Sequence, residues 1–234
     1  MNANYQEDFQ QRLQEITNKI VPEICEFYSY LEKYPYMGAC HEIGQKIITE
    51  IQNAPKISIL DSTWYRGRPV KDSHIMTSSE MLPPDSEKIA IGEGRFNHYG
   101  QSHFYLSQSS KLCFREINHN ANAICWIQEI YIRKLEKVID LSFYLDESNI
   151  NSLPLVFAGI MRSGAIRRPV RKDKFWKPEY FVPRFIADVC KSNEINGILY
   201  SSAVDFGCNL VVFDIKNLDF CFAGTPEIFR FPEF

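Results

Sequence analysis

The sequence lacks any apolar run approaching the ~18–20 residues that a membrane-spanning helix needs, so no membrane association is expected. It lacks a CxxC pair and an HExxH helix, and its five histidines (His41, His74, His98, His103, His119) are scattered, so no metal site is expected. Neither GxGxxG nor GxxxxGK[ST] occurs, which argues against a doubly wound nucleotide fold. No GxSxG elbow offers a hydrolase nucleophile, and no DxDxDG loop suggests calcium. An excess of positive charge is missing too: the formal net charge is −3 and the pI near 6.0. Direct nucleic-acid binding is therefore not expected. The opening MNANYQEDFQQ is polar and has no apolar signal region. The seven cysteines are odd in number, so reduced thiols in the cytoplasm are the simplest expectation.

What is present is apolar and aromatic. Hydrophobic residues make up 45% of the 234 and aromatics 14%, enough to bury a core without disulfides. The first ~53 residues predict helices. Phe9, Leu13, Ile16 and Ile20 share one helical face, Pro22 restarts the chain, Ile24, Tyr28 and Leu31 continue, and Ile43, Ile47, Ile48 and Ile51 form a third face. Strands are predicted at Ile57–Leu60 running into Trp64-Tyr65-Arg66, at Ile89–Ile91, at His103–Ser107, at Ala123–Ile132 and at Lys137–Ser142. Two late ones follow at Gly197–Ser201 and Asn209–Phe213. Residues 69–87 read as a long loop, a type that is often functional. Helices are predicted after an N-cap at Ser109, over Leu153–Met161 and over Phe181–Ser192. Strands without steady β-α-β alternation predict an α+β fold.

Several polar groups could carry chemistry. Gly92-Glu93-Gly94-Arg95-Phe96-Asn97-His98-Tyr99-Gly100 puts a cation and an amide among glycines that let backbone approach a ligand. A structural turn with an Arg ion pair is the plainer alternative. Tyr105 on a strand and Glu116 on the next helix follow Arg95 on consecutive elements, which are usually neighbours in space. The plainer alternatives are a solvated helix residue for Glu116 and a half-buried strand residue for Tyr105. Arg66, beside Gly67 at a strand end, suits phosphate or carboxylate, whose geometry matches the planar guanidinium. A surface ion pair is its alternative. Tyr200-Ser201-Ser202 ends a strand with hydroxyls. Arg162, Arg167, Arg168, Arg171, Lys172, Lys174 and Lys177 are either a solvated loop or an anion-binding rim.

Taken in order, five short blocks resemble the RES domain. They are Trp64-Tyr65-Arg66-Gly67, Gly94-Arg95-Phe96-Asn97 with Gly100, Phe104-Tyr105-Leu106-Ser107, Glu116 closing Leu112-Cys113-Phe114-Arg115-Glu116, and Gly197-Ile198-Leu199-Tyr200-Ser201-Ser202 with Asn209-Leu210-Val211-Val212-Phe213. The resemblance covers roughly residues 57–214. It implies an ADP-ribosyltransferase-like α+β fold with a mixed, mainly antiparallel sheet over residues 56–234. Residues 1–55 would then be a helical N-terminal extension. It further implies an enzyme that uses NAD as substrate, without a metal, and cleaves the nicotinamide–ribose bond as a glycohydrolase or phosphorylase, acting as the toxin of a toxin–antitoxin or defence system. A protein ADP-ribosyltransferase, or a non-catalytic nucleotide- or partner-binding module, stays open. By position, Arg95, Tyr105 and Glu116 would be catalytic. Arg66, Arg95, Asn97, Tyr105 and Ser202 would bind NAD, with Ser201 as the other candidate for the family's serine. Partners would be NAD and an antitoxin protein, within a homo-oligomer or hetero-complex.

Overall fold

The apolar spacing near the N-terminus does build helices. The computed structural model describes residues 3–70, 73–117, 124–143, 145, 149–168 and 176–230. In it, α1 (Ala3–Glu15) and α2 (Val21–Lys33) are joined by a π-helical turn, Ile16–Ile20. Pro22 was expected to restart the chain, but the helix runs on past it. The cause is local: Val21 N–H bonds back to the Ile16 carbonyl. That wider turn sits just ahead of a proline whose ring and missing N–H would otherwise disrupt an α-helical interior. Ile16, Ile20, Ile24, Phe27 and Leu31 form one buried stripe along the joined helix.

These helices belong to a helical unit comprising Met1–Pro55, Gly94–Phe96 and Phe143–Asn193. It also holds α3 (Glu42–Asn53), α5 (Leu155–Ser163) and α6 (Phe181–Ser192). Gly159 on α5 lets Ile20 approach so closely that a Cβ there would meet the Ile20 side chain. Glu50 on α3 caps α5 from 106 residues away, accepting from Val156 and Phe157 N–H at 2.9 Å each. Burial pushes the Glu50 carboxyl above its usual range, against the pull of those two bonds.

The second unit, Lys56–Glu93, Asn97–Ser142 and Glu194–Phe234, carries the sheet. Its strands are β1 (Ile57–Pro69), β2 (Phe104–Ser107), β3 (Ile124–Leu141), β4 (Gly197–Ser201), β5 (Cys208–Val212) and β6 (Asp219–Arg230). Their order is β1-β2-β5-β4-β3-β6, and a further β1–β3 pairing closes the first five into a ring. Only β3–β4 is parallel; the other pairings are antiparallel. Trp64, Phe104, Leu106, Ile130, Ile132, Leu135, Leu210 and Val212 fill one core. Along β3 the even residues Ile130 and Ile132 point into it. The odd residues Cys125 and Ile127 point to the opposite face, where Cys113 and Phe114 of α4 (Ser110–Ile117) cover them. Ser109 caps α4 as expected, accepting from Leu112 N–H at 3.2 Å.

Two strand expectations are corrected, and one strand is added. Lys137–Ser142 is not a separate strand, because β3 runs unbroken to Leu141 through a positive φ of 55° at Lys137. Ala123, at the start of the expected Ala123–Ile132 strand, lies outside the described residues. Ile89–Ile91 is irregular, and Ile89 is exposed: the segment follows a turn held by Asp85 and has no strand partner among the described residues. β6 was not anticipated. Pro226 and Gly224 (φ 69°) break up its apolar alternation, yet it pairs along most of β3.

Candidate active site

Glu116 sits in the last turn of α4, and α4 lies against β1 at Gly67. A Cβ on Gly67 would meet Ile117 Cδ1 and lie 2.9 Å from Cys113 Sγ. A larger residue there would lift the helix and move Glu116 with it. Glu116 Oε1 accepts two short bonds, from Ser202 Oγ at 2.7 Å and from Asn209 Nδ2 at 2.6 Å. Both donors are themselves oriented. Ser202 Oγ accepts from Val204 and Asp205 N–H at 3.0 and 3.3 Å, so its own proton is directed at Glu116. Asn209 Oδ1 accepts from Ser107 Oγ at 2.7 Å, and a flipped amide would aim its oxygen at the carboxylate. Asn209, Ser107 and Ser202 are all buried. Among the described residues no donor reaches Glu116 Oε2.

Arg66, on β1, is a cation held with little compensation. Its Nη1 donates to the Tyr105 carbonyl at 3.0 Å, and its guanidinium lies over the Phe104 ring at 5.6 Å. The residue as a whole is half-buried, but its Nε is sealed from solvent and has no hydrogen-bond partner among the described residues. Burial pulls its pKa down to about 10, so it stays charged at neutral pH. A buried donor left unsatisfied costs about 1–3 kcal/mol. Cys113 senses both Arg66 and Glu116, which places it near each; burial holds its thiol up at about 12, so it is inert.

Tyr105 donates its hydroxyl to Asn97 Oδ1 at 2.9 Å. Asn97 is buried and ties its own loop together, with Nδ2 donating to the carbonyls of Gly92, His98 and Gln101 at 3.0, 2.9 and 3.1 Å. Its amide hydrogens therefore serve the loop, and its oxygen serves Tyr105.

Arg95 belongs to the helical unit. It donates to the carbonyls of Ile166 (2.8 Å) and Arg168 (3.2 Å), and lies over the Tyr180 ring at 5.6 Å. Arg184 Nε fixes the same segment through the Gly94 carbonyl at 3.1 Å. In the basic run, Arg168 stacks on Tyr28 at 3.9 Å, Arg162 is exposed and Lys177 lies 5.9 Å from Tyr180. Arg171, Lys172 and Lys174, like His119, lie outside the described residues. Of the two serines, Ser202 meets Glu116, whereas Ser201 donates to the Ser142 carbonyl at 2.7 Å.

The structure thus brings Glu116 together with Ser202, and Tyr105 with Asn97 and, through its carbonyl, Arg66. Asn209 and Ser107 were named within sequence blocks but given no role. The signal for Asn209 was available: a polar side chain in the apolar run Cys208-Asn209-Leu210-Val211-Val212 must find a partner once buried.

Comparisons with known proteins bear on the family and the fold. The family model described as RES domain matches residues 64–226. A solved chain from the M. tuberculosis MbcT–MbcA toxin–antitoxin complex shares the fold, with a TM-score of 0.51 and 15% sequence identity; the alignment covers 80% of the present chain and 94% of that one. No curated protein matches.

Proposed function

The chain belongs to the RES domain family, and from that premise we propose that it consumes NAD by cleaving the bond between nicotinamide and ribose. The observation that carries this reading is the Glu116 carboxylate, fixed through Oε1 by Ser202 and Asn209, with no donor to Oε2 among the described residues. In the cleavage, the C1′–N bond breaks, its electron pair leaves with neutral nicotinamide, and positive charge develops on the ribose. A carboxylate held beside C1′ stabilises that charge and orients the attacking oxygen of water or phosphate, whose proton it can accept. Preorganisation matters here, because Glu116 need not reorient as the charge forms.

Arg66 is the cation we assign to the pyrophosphate. Its enclosed, half-satisfied guanidinium gains a counter-ion when an anion binds, and charge-assisted bonds of this kind are the strong ones. Asn97 positions Tyr105, whose ring we assign to the nicotinamide end. Arg95 lies in the family motif Gly94-Arg95-Phe96-Asn97, and we assign it to ordering that segment, since its bonds run to the Ile166 and Arg168 carbonyls. No metal is needed, since nicotinamide leaves as a neutral molecule. The shared fold with a chain of a toxin–antitoxin complex supports toxin action and a protein antitoxin as partner.

The test is purified protein with NAD, in buffer with and without phosphate, with free nicotinamide and the ribose product followed by chromatography. Release should fall by about a hundredfold or more in Glu116→Ala. Free ADP-ribose identifies a hydrolase, its 1″-phosphate a phosphorylase, and label retained on protein a transferase. No release in any buffer, from a protein that also fails to bind NAD, would overturn the reading.

A further inference from the structure

Beside the Glu116 site lies a loop whose shape owes nothing to its largest side chain. Residues 202–207 connect β4 to β5. Ser202 Oγ accepts from the N–H groups of Val204 and Asp205, and Ser202 N–H closes the loop on the Gly207 carbonyl at 3.0 Å. Asp205 accepts from Phe206 N–H at 2.8 Å and pairs with Arg115 of α4 at 3.1 Å. Gly207, at φ 119°, turns the chain into β5, and Gln108 Oε1 accepts from Cys208 N–H at 3.1 Å. These polar bonds fix the loop. Phe206 is 91% exposed at its tip, beside half-exposed Val204. A phenyl ring this exposed contributes almost nothing to folding, and the loop would hold equally well with a polar residue there.

We propose that Phe206 is a substrate-contact residue, presenting its ring to the nicotinamide of NAD while Glu116 faces the adjoining ribose carbon. The inference rests on the NAD reading above. The loop starts at the residue that holds Glu116, so its aromatic tip is carried by the same rigid element that orients the carboxylate. In NAD the ring next to the scissile bond is the nicotinamide, a flat pyridinium cation whose faces can stack on an aromatic side chain. Aromatic stacking on such a ring needs a preordered side chain that loses little freedom on binding.

The experiment compares wild type, Phe206→Ala, Phe206→Trp and, as control, Tyr36→Ala, which removes an 86% exposed aromatic of the helical unit. Nicotinamide release is measured with NAD and with nicotinamide mononucleotide, alongside calorimetric NAD binding and thermal melting. Phe206→Ala should raise KM by about tenfold for both substrates, Phe206→Trp should restore it, and Tyr36→Ala should match wild type, all at unchanged Tm. An unchanged KM in Phe206→Ala with normal turnover overturns the proposal and leaves the NAD reading standing. A loss with NAD but not with the mononucleotide moves the contact to the adenine end and overturns the nicotinamide assignment. If the protein binds NAD without turning it over, the Kd decides in place of KM. If wild type neither cleaves nor binds NAD, the functional reading fails and the proposal falls with it.

Discussion

Two arginines, one in each unit, show two ways of holding a cation. In the helical unit Arg95 is ringed by backbone: three bonds to the carbonyls of Ile166 and Arg168, and the face of Tyr180. In the sheet unit Arg66 has one carbonyl, one ring and an Nε with no hydrogen-bond partner among the described residues. Sequence treats the pair alike, since each stands beside glycine in a family block. Structure separates them. Carbonyls gathered around a guanidinium fasten three chain segments together, whereas an under-satisfied cation is stabilised by an anion that arrives later. Stability and ligand binding should therefore split between the two residues.

The largest effect expected from this contrast is in Arg66→Met. Losing the cation should raise KM for NAD by about ten- to a hundredfold, the worth of one or two charge-assisted bonds. Melting should hold or improve, because a half-buried cation with an enclosed, unpartnered Nε is gone. Arg95→Met should instead strip partners from the Ile166 and Arg168 carbonyls and cost about 1–3 kcal/mol of stability in urea denaturation. Kinetics and unfolding on both variants check the split. Equal destabilisation by the two, or a KM rise in Arg95→Met without loss of stability, would break it.

A middling effect tests how the sheet unit holds its carboxylate. Asn209→Ala removes one of the two donors to Glu116 Oε1 and leaves Ser107 Oγ without its acceptor. We expect kcat to fall about tenfold with KM near wild type, because the group that orients the carboxylate acts in the transition state rather than in binding. Stability should drop by about 1–3 kcal/mol. A KM change with kcat intact would mean that Asn209 serves the substrate rather than Glu116.

The elements that were legible in sequence are those whose signal is local. The helical face ending in Ile16 and Ile20, the face of Ile24, Tyr28 and Leu31, the N-cap at Ser109 and the strand around Ile130 each follow from spacing within a dozen residues, and each appears. The order of the RES blocks placed Glu116 and Ser202 among the candidates, but not their contact. That contact spans 86 residues and depends on β5 threading between β2 and β4. β6 was hidden because Pro226 and Gly224 interrupt its alternation, and its pairing is decided by the long free edge of β3. The π-turn before Pro22 was hidden for the opposite reason: the apolar stripe is so regular that nothing in it marks the extra residue.

The smallest effect concerns two carboxylates that cap turns in opposite fashion. Glu80, in the sheet unit, is local and exposed; bonds from the Thr77 hydroxyl, the Thr77 N–H and His74 hold its pKa down at about 2. Glu50, in the helical unit, caps α5 at long range, and burial raises its pKa. The signs then oppose. A depressed carboxyl contributes stability that is present above the unfolded value, near 4.5, and is lost as pH falls toward 2. A raised one makes the fold less stable as pH climbs from the unfolded value through the folded one. Melting of Glu80→Gln should therefore lose part of the wild-type decline below pH ~4.5, by about 2 °C or less, since an exposed group is screened. Glu50→Gln should lower Tm overall, because its amide can accept only one of the two α5 N–H bonds. It should also remove the component that weakens the fold just above pH ~4.5. Shifts of the same sign in the two variants would mean that location, buried and distant against exposed and local, does not govern how this chain holds its charges.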